Sequence, residues 1–341
     1  MEDPQKRKPL GRALAALIVA SLGIASYLWL SRSPEQAPSG LDRLRIADGS
    51  ISNSALLYVA LEKGFFEREG LQVSCRLLPS GKDALHSVEE GKADLATVAD
   101  VPVMFAAMRG VRIQVLATIS SSTNNNALIA RRDRGVSSPS DLRGKKIGVA
   151  PGTTGEYFLD TFLNLNRISR NEIEMIGMQV PDMAAALARG EVDAVVSWDP
   201  YAPELEEALG ANGLSSRGEG LYGFMWNLVA MQDLVRKKPE TVRKVLRALL
   251  ESEAFIREEP EEALRIAAQY LRVEEPFLRK SWHRVRFNLS LDPILVLNME
   301  DQARWAIRQG LTNRKNVANF LDRIWLEGLR SICPEVVTIL Y

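Results

Sequence analysis

One stretch of structure is written twice in this chain, and that repeat constrains the fold more than any other feature. Residues 91–100 read G-K-A-D-L-A-T-V-A-D, with Gly91, Asp94 and Asp100; residues 190–199 read G-E-V-D-A-V-V-S-W-D, with Gly190, Asp193 and Asp199 at the same spacing. A helical apolar pattern precedes each copy: Ala84, Leu85 and Val88 in one case, Ala184, Ala185, Leu187 and Ala188 in the other. Further upstream lies a second matched pair, I-A-D-G-S-I-S-N-S at 46–54 and I-G-V-A-P-G-T-T-G at 147–155. Each runs from a short strand through a small, hydroxyl-rich loop into a helix. The duplication predicts two similar α/β lobes facing each other across a cleft, and clefts are where ligands bind.

From Leu44 onward strand and helix patterns alternate, which argues for parallel, doubly wound lobes. The first lobe reads as strands at 44–47, 71–77, 95–98 and 113–119. Its helices fall at 55–63, 82–90 and 101–108, the last with Asp100 as cap and Pro102 in its first turn. The polar run S-S-S-T-N-N-N at 120–126 has no periodicity and reads as a loop, followed by a strand crossing to the second lobe at 127–130. A second crossing strand is expected at 224–231. The remainder reads as helical, led by 239–256 with Val242, Val245, Leu246, Leu249 and Leu250 on one face. The expected division is residues 1–40 as membrane anchor or signal plus linker, 41–127 as the first part of lobe 1, 128–221 as lobe 2, and 222–341 as the helical second part of lobe 1. Two crossings make a hinge.

The N-terminus sets the expected location. Lys6, Arg7, Lys8 and Arg12 precede residues 13–30, which carry no charge and are just long enough to span a bilayer. The positive side stays cytoplasmic, so the body is exported. An uncleaved transmembrane helix is expected to tether it to the extracytoplasmic (periplasmic) face of the cytoplasmic membrane. A signal cleaved after Gly23-Ile24-Ala25 is the alternative. Residues 31–40, with Pro34 and Pro38, read as a linker. Lysine plus arginine number 43 and aspartate plus glutamate 43, so no basic excess draws in nucleic acid. Cys75 and Cys333 lie far apart without a C-x-x-C or zinc spacing, and read as two separate thiols, a disulfide being left open.

Ser50, Ser52 and Ser54, and Thr153 and Thr154, stand where a strand ends and a helix begins. Backbone N–H groups at a helix start are unpaired and the local field is positive. Small hydroxyls add donors without blocking access, a combination suited to an anionic head group such as sulfonate, nitrate or carboxylate. The crevice beyond the carboxyl ends of parallel strands is where such ligands sit. Helix capping is the competing role for each of these residues. Ser120, opening the polar run at the first crossing, is counted with them. Asp100 and Asp199 follow strands and precede helices; each either caps or points a carboxylate at an amine or a neighbouring donor. Trp198 is either core or a wall over the ligand's apolar part, and Tyr222 and Trp226 beside the second crossing carry the same choice. Gly218-x-Gly220-x-x-Gly223 matches a dinucleotide fingerprint by letters but leads into a strand rather than a helix. His86 and His283 lack a catalytic context. No catalytic residue, metal or cofactor is expected.

Residues 60–71 (A-L-E-K-G-F-F-E-R-E-G-L), Pro79-Ser-Gly81, Gly91-x-x-Asp94, Ala99-Asp-Val-Pro102, Gly152-Thr-Thr154 and Trp198-Asp-Pro-Tyr201 resemble the nitrate/sulfonate/taurine solute-binding proteins of ABC importers. The resemblance runs from about Leu44 to Trp325. It implies a type II periplasmic-binding-protein-like fold, two α/β lobes joined by two hinge crossings. It further implies capture of a small anionic or zwitterionic solute of the sulfonate, taurine, nitrate or bicarbonate class, and delivery to an ABC permease with its ATPase, without chemistry. By that resemblance Ser52, Asp100, Thr153, Thr154 and Trp198 fall on cleft-lining stretches. The expected protein is a monomer. Its anchor departs from the free or lipid-anchored form of most members, and a tether raises local concentration at a permease. Related proteins bind pyrimidine precursors of thiamine, so a precursor-binding protein or enzyme is an alternative. The pyrimidine synthases of that group need a cysteine-rich motif and an active-site histidine, which this sequence lacks. A membrane-tethered ligand-sensing subunit is a third reading.

Overall fold

In the computed structural model, which describes residues 41–340 apart from Glu219, the two copies of the repeat build two sheets on one plan. In the first, β1 (Asp42–Asp48) runs parallel to β2 (Leu71–Leu77) and β3 (Leu95–Ala99). Strand β4 (Ile113–Ser122) is separated from β3 by an antiparallel strand from much later in the chain, β10 (Phe224–Met231). In the second, β6 (Lys146–Val149) runs parallel to β7 (Glu174–Gly177) and β8 (Ala194–Trp198). There β5 (Asn126–Arg131) inserts antiparallel between β8 and β9 (Gly213–Ser216). A sixth strand, β11 (Arg286–Ser290), extends the first sheet beyond β4. The sheets are therefore mixed rather than wholly parallel: four strands of each run the same way, and each crossing strand arrives antiparallel between two of them.

Helices α1 (Ala55–Glu62), α2 (Phe65–Arg68), α3 (Gly81–Glu89) and α4 (Asp100–Met108) connect the strands of the first sheet. Helices α5 (Thr154–Leu165), α6 (Val180–Arg189) and α7 (Tyr201–Leu209) do so in the second. After β10 come α8 (Gln232–Lys237), α9 (Pro239–Glu258), α10 (Pro260–Leu271), α11 (Glu275–Trp282), α12 (Pro293–Arg308) and α13 (Leu326–Arg330). Helices α9 and α10 pack on α1, and α12 packs on α4. Buried apolar contacts run without a break from the first sheet to Trp198 and Tyr157 of the second.

The repeated Gly-x-x-Asp has one structural task in both copies. Gly91 and Gly190 follow α3 and α6 at φ 70° and 72°, the left-handed conformation that ends a helix and suits glycine. Asp94 Oδ2 then accepts from the Arg45 backbone N–H at 2.8 Å, and Asp193 Oδ2 from that of Lys146 at 2.9 Å. An arginine braces each turn: Arg45 donates to Asp94 and to the Gly91 carbonyl, Arg134 to Asp193 and to the Gly190 carbonyl. Each aspartate thus docks the return from helix to strand onto the start of the neighbouring parallel strand.

Two expectations change. Strand β4 continues through Ser122, because Ser120, Ser121 and Ser122 pair with Trp226, Met225 and Phe224 of β10. The segment has no pattern of its own; the edge of the partner strand makes it a strand. For the same reason the helical tail contains β11, which pairs with β4 through Arg286 and Phe287. The apolar N-terminal segment lies outside the described residues, and among those described no helix is long and apolar enough to cross a membrane. Cys75 and Cys333 are both free.

Candidate functional site

A hollow lies between the two sheets where the ends of their strands meet. From the first sheet it is lined by Gly49 and Ile51 after β1, by Ser80, Gly81 and Lys82 at the start of α3, and by Ala99 and Pro102. The second sheet supplies Thr153, Thr154 and Trp198. The crossings supply Asn125, Phe224 and Trp226. Its volume is about 20 Å³, room for a water molecule or two, so the two lobes are shut on each other.

Trp226 forms the floor. Its Nε1 donates to Ser54 Oγ at 2.7 Å, and its ring stacks on Phe224 with centroids 5.9 Å apart. Ser54 in turn donates to Asp48, which is fully buried at the end of β1. Asp48 also accepts from Thr97 Oγ1 and Tyr58 OH, each at 2.5 Å, and from the Ser50 N–H at 2.9 Å. Burial pushes this carboxyl above its ordinary range while those donors pull it back. Sequence reasoning passed over Asp48, since its partners meet it only in the fold.

On the opposite wall Thr153 caps α5: its Oγ1 accepts from Gly155 N–H at 3.2 Å and donates to the Ala150 carbonyl at 2.7 Å. Glu156 reaches back to accept from Gly152 N–H at 2.7 Å. Thr154 Oγ1 donates to Asn126 Oδ1 at 3.4 Å. Capping and lining therefore coexist at Thr153. Asn125 is 3% exposed, and neither atom of its amide has a hydrogen-bond partner among the described residues. A buried amide left so is costly unless something in the hollow answers it.

The remaining sequence candidates stand behind these walls. Ser52 is fully buried with its hydroxyl unpartnered among the described residues, and it does not line the hollow. Ser54 serves Trp226 and Asp48. Ser120 Oγ donates to the Asn53 carbonyl at 2.9 Å and steadies the turn after β1. Asp199 is 1% exposed between Arg217 at 3.0 Å and Arg284 at 3.2 Å, so both its oxygens face cations rather than the hollow. Asp100 opens α4 and accepts from Tyr222 OH and from Gln302 Nε2 at 2.9 Å. Among the described lining residues the one charged group is Lys82, whose Nζ donates to the Pro151 carbonyl at 2.7 Å across the lobes. Tyr157 OH to Asp301 at 2.7 Å and Trp305 Nε1 to Asp160 at 2.8 Å also join the two lobes.

Asp100 makes stability depend on pH. Burial raises its carboxyl from 3.8 to about 6, against the pull of Tyr222 and Gln302. A folded-state value above the unfolded one means the contribution is complete below about pH 4 and is lost as pH rises through about 6. At ~1.4 kcal/mol per tenfold change in proton affinity, the ionised form costs about 3 kcal/mol by neutral pH. Urea titrations at about pH 4.5 and 7.5 should show Asp100→Asn gaining about 2–3 kcal/mol on the parent at the higher pH. An equal difference at both pH values would show an ordinary carboxylate.

The family described as NMT1/THI5 like matches residues 51–263. The taurine-binding periplasmic protein of Escherichia coli K12 is 28% identical over 193 residues, covering 55% of this chain and 59% of that protein. Among solved structures, the alkanesulfonate-binding protein SsuA from Xanthomonas axonopodis pv. citri bound to MOPS superposes with a TM-score of 0.72 at 19% identity, over 84% of this chain and 99% of its own. The periplasmic aliphatic sulphonate binding protein SsuA from Escherichia coli gives 0.69 at 18%, over 84% and 98%. These two likenesses show the fold, an α/β periplasmic-binding-protein fold with two sheets.

Proposed function

Since the chain belongs to the NMT1/THI5-like family, we propose that it is the extracytoplasmic solute-binding component of an ABC importer, closing on a small anion or zwitterion of the sulfonate, taurine, nitrate or bicarbonate class. One observation carries the reading: two strand-to-helix junctions, with Gly49 and Ile51 from one and Thr153 and Thr154 from the other, share one hollow with the amide of Asn125, which has no hydrogen-bond partner among the described residues. The start of α5 offers a positive field and backbone donors, which suits an oxyanion. Trp198, Trp226 and Phe224 cover the apolar part of the solute. The two crossings act as the hinge that admits and releases it. In this reading residues 1–40 tether the monomer to the membrane, and residues 41–127 with 222–341 close against 128–221. An ABC permease with its ATPase receives the solute. The relative named for taurine binding favours capture over catalysis and over the thiamine-precursor alternative.

Thermal melting with taurine, an alkanesulfonate, nitrate and bicarbonate tests this. A bound solute at a hundred times its Kd stabilises by about 2.7 kcal/mol and raises Tm. The doubly substituted Thr153→Ala, Thr154→Ala chain should lose the rise while keeping its circular dichroism. Silence with all four anions sinks the proposal, and a rise that survives the double substitution moves the anion away from the start of α5.

A further inference from the structure

Behind the first lobe, at the strand ends opposite the hollow, the surface carries a charge pattern of its own. Strands β1, β3 and β4 begin there and β10 ends there: Asp94 N–H donates to the Arg45 carbonyl and Gln232 N–H to the Arg112 carbonyl, each at 2.8 Å. Helix α8 follows β10 at once and packs on β4 and β10. Helix α4 ends there too, where Arg314 Nε donates to the Met108 carbonyl at 3.0 Å. Six cations gather on this end: Arg43, Arg236, Lys237, Lys238, Arg314 and Lys315. All are exposed, and among the described residues none has a carboxylate within 4.0 Å. The acids nearby are answered by other cations: Asp42 by Lys244 at 3.9 Å, Glu89 by Arg109 at 2.6 Å, Glu90 by Lys92 at 2.7 Å, Asp94 by Arg45 at 3.0 Å and Asp233 by Arg112 at 4.0 Å. Asp322, whose carbonyl takes Gln114 Nε2, offsets one of the six at most. The whole chain has 43 cationic and 43 acidic side chains, so placement rather than composition makes the excess.

The chain reaches the body at this same end. Strand β1 starts at Asp42, and the residues before it include the uncharged stretch 13–30 and then ten more, 31–40. Ten residues span at most ~35 Å. A body tethered through them keeps its point of entry within a few screening lengths of the bilayer, at ~8 Å each. An anionic headgroup layer is then the polyanion this end meets first. Each basic side chain held near such a surface gains about fivefold in partitioning.

We propose that this basic end of the first lobe docks on an anionic lipid surface. This rests on the tether reading of residues 1–40 given above and adds the body's orientation to it. Gly49 and Ala99, at the far ends of β1 and β3, line the hollow. A docked body therefore turns the hollow away from the bilayer, toward the solution that brings the solute.

Amine labelling of the full-length chain in lipid nanodiscs reads the docked face. Discs with about 30% phosphatidylglycerol should slow the labelling of Lys237, Lys238 and Lys315 about fivefold or more against discs of phosphatidylcholine alone, while Lys146 and Lys280 keep their rates. Salt at about 0.5 M should erase the difference, since charges then act over only about 5 Å. Arg236→Gln with Lys238→Gln should weaken docking about 25-fold and return Lys237 and Lys315 to the phosphatidylcholine rate, with the parent's circular dichroism. Equal labelling in both kinds of disc overturns the proposal, as does slowing spread over every lysine. Protection by a short DNA duplex but not by phosphatidylglycerol gives this end to nucleic acid instead. If the chain elutes apart from phosphatidylcholine discs on gel filtration, the tether falls; docking is then read by whether phosphatidylglycerol vesicles protect the same lysines.

Discussion

Replacing Arg170 by methionine is expected to lower the unfolding free energy by about 3–5 kcal/mol, the usual result of leaving a buried charge without its partner. Arg170 Nη1 donates to Asp160 at 2.5 Å and its Nη2 to Glu156 at 2.6 Å. The two carboxylates lie four residues apart on the inner side of α5 and are 2% and 3% exposed. Burial already pushes the Asp160 carboxyl up, against Trp305 and Arg170, which pull it down. Without the guanidinium the pair repel in a medium that screens poorly, and one of them must take a proton. The same Asp160 oxygen receives Trp305 Nε1 from α12, so the contact between lobes loosens with it. Scanning calorimetry should register a fall in Tm of about 10 °C. Adding Glu156→Gln and Asp160→Asn to the arginine replacement should recover most of it, because no orphan charge then remains. A single variant melting within about 1 °C of the parent would show that this triad does not hold α5 in place.

Gly49→Ala is expected to weaken solute binding by about a hundredfold, on the scale of misplacements near 1 Å in a preorganised site. A Cβ at residue 49 would lie 2.5 Å from Gly81 N, 2.7 Å from Gly81 Cα and 2.7 Å from Trp226 Cη2. Two of those atoms are backbone at the start of α3, so no side-chain rotation relieves the contact. The third belongs to a ring pinned by Ser54 and Phe224. Either α3 backs away from the hollow or Trp226 tips into it, and the floor is lost both ways. Overpacking of this kind costs about 1–3 kcal/mol, so the fold should survive while the site does not. Titration with whichever anion raises the parent's Tm reads the outcome. Parent-like affinity in this variant would mean that the solute binds somewhere other than beside Trp226.

The repeat made the architecture legible because its determinants are local. A glycine that ends a helix and an aspartate that opens the next strand stand three residues apart, and the matched pair recurs at the same spacing, although each aspartate ties a strand start almost fifty residues earlier. Elements with clear patterns, such as β2 and β10, stand where those patterns put them, at Leu71–Leu77 and Phe224–Met231. What stayed hidden depended on distant partners. The extension of β4 and the whole of β11 are strands because a neighbour's edge recruits them. The site shows the same limit. Thr153, Thr154, Trp198 and Trp226 line the hollow and were visible as junction or crossing residues. Asn125 sat inside a featureless polar run, and Lys82 read only as the start of a helix at 82–90. Asp100 and Asp199 occupy equivalent letters of the repeat, yet one meets a tyrosine and a glutamine and the other two arginines. Duplication copies the backbone path and leaves each side chain's company to the rest of the chain.

The insertion of β10 between β3 and β4 has a consequence for how the protein is made. Ribosomal synthesis finishes β4 at Ser122, but the strand that belongs beside it ends at Met231. Throughout that interval the nascent first sheet exists as two fragments with open inner edges, which invite pairing with foreign strands. The second sheet needs only residues 126–216, a contiguous stretch of the emerging polypeptide. The half translated later is therefore the first whose strands are all present, and the half translated earlier must wait, unsealed, for its missing member.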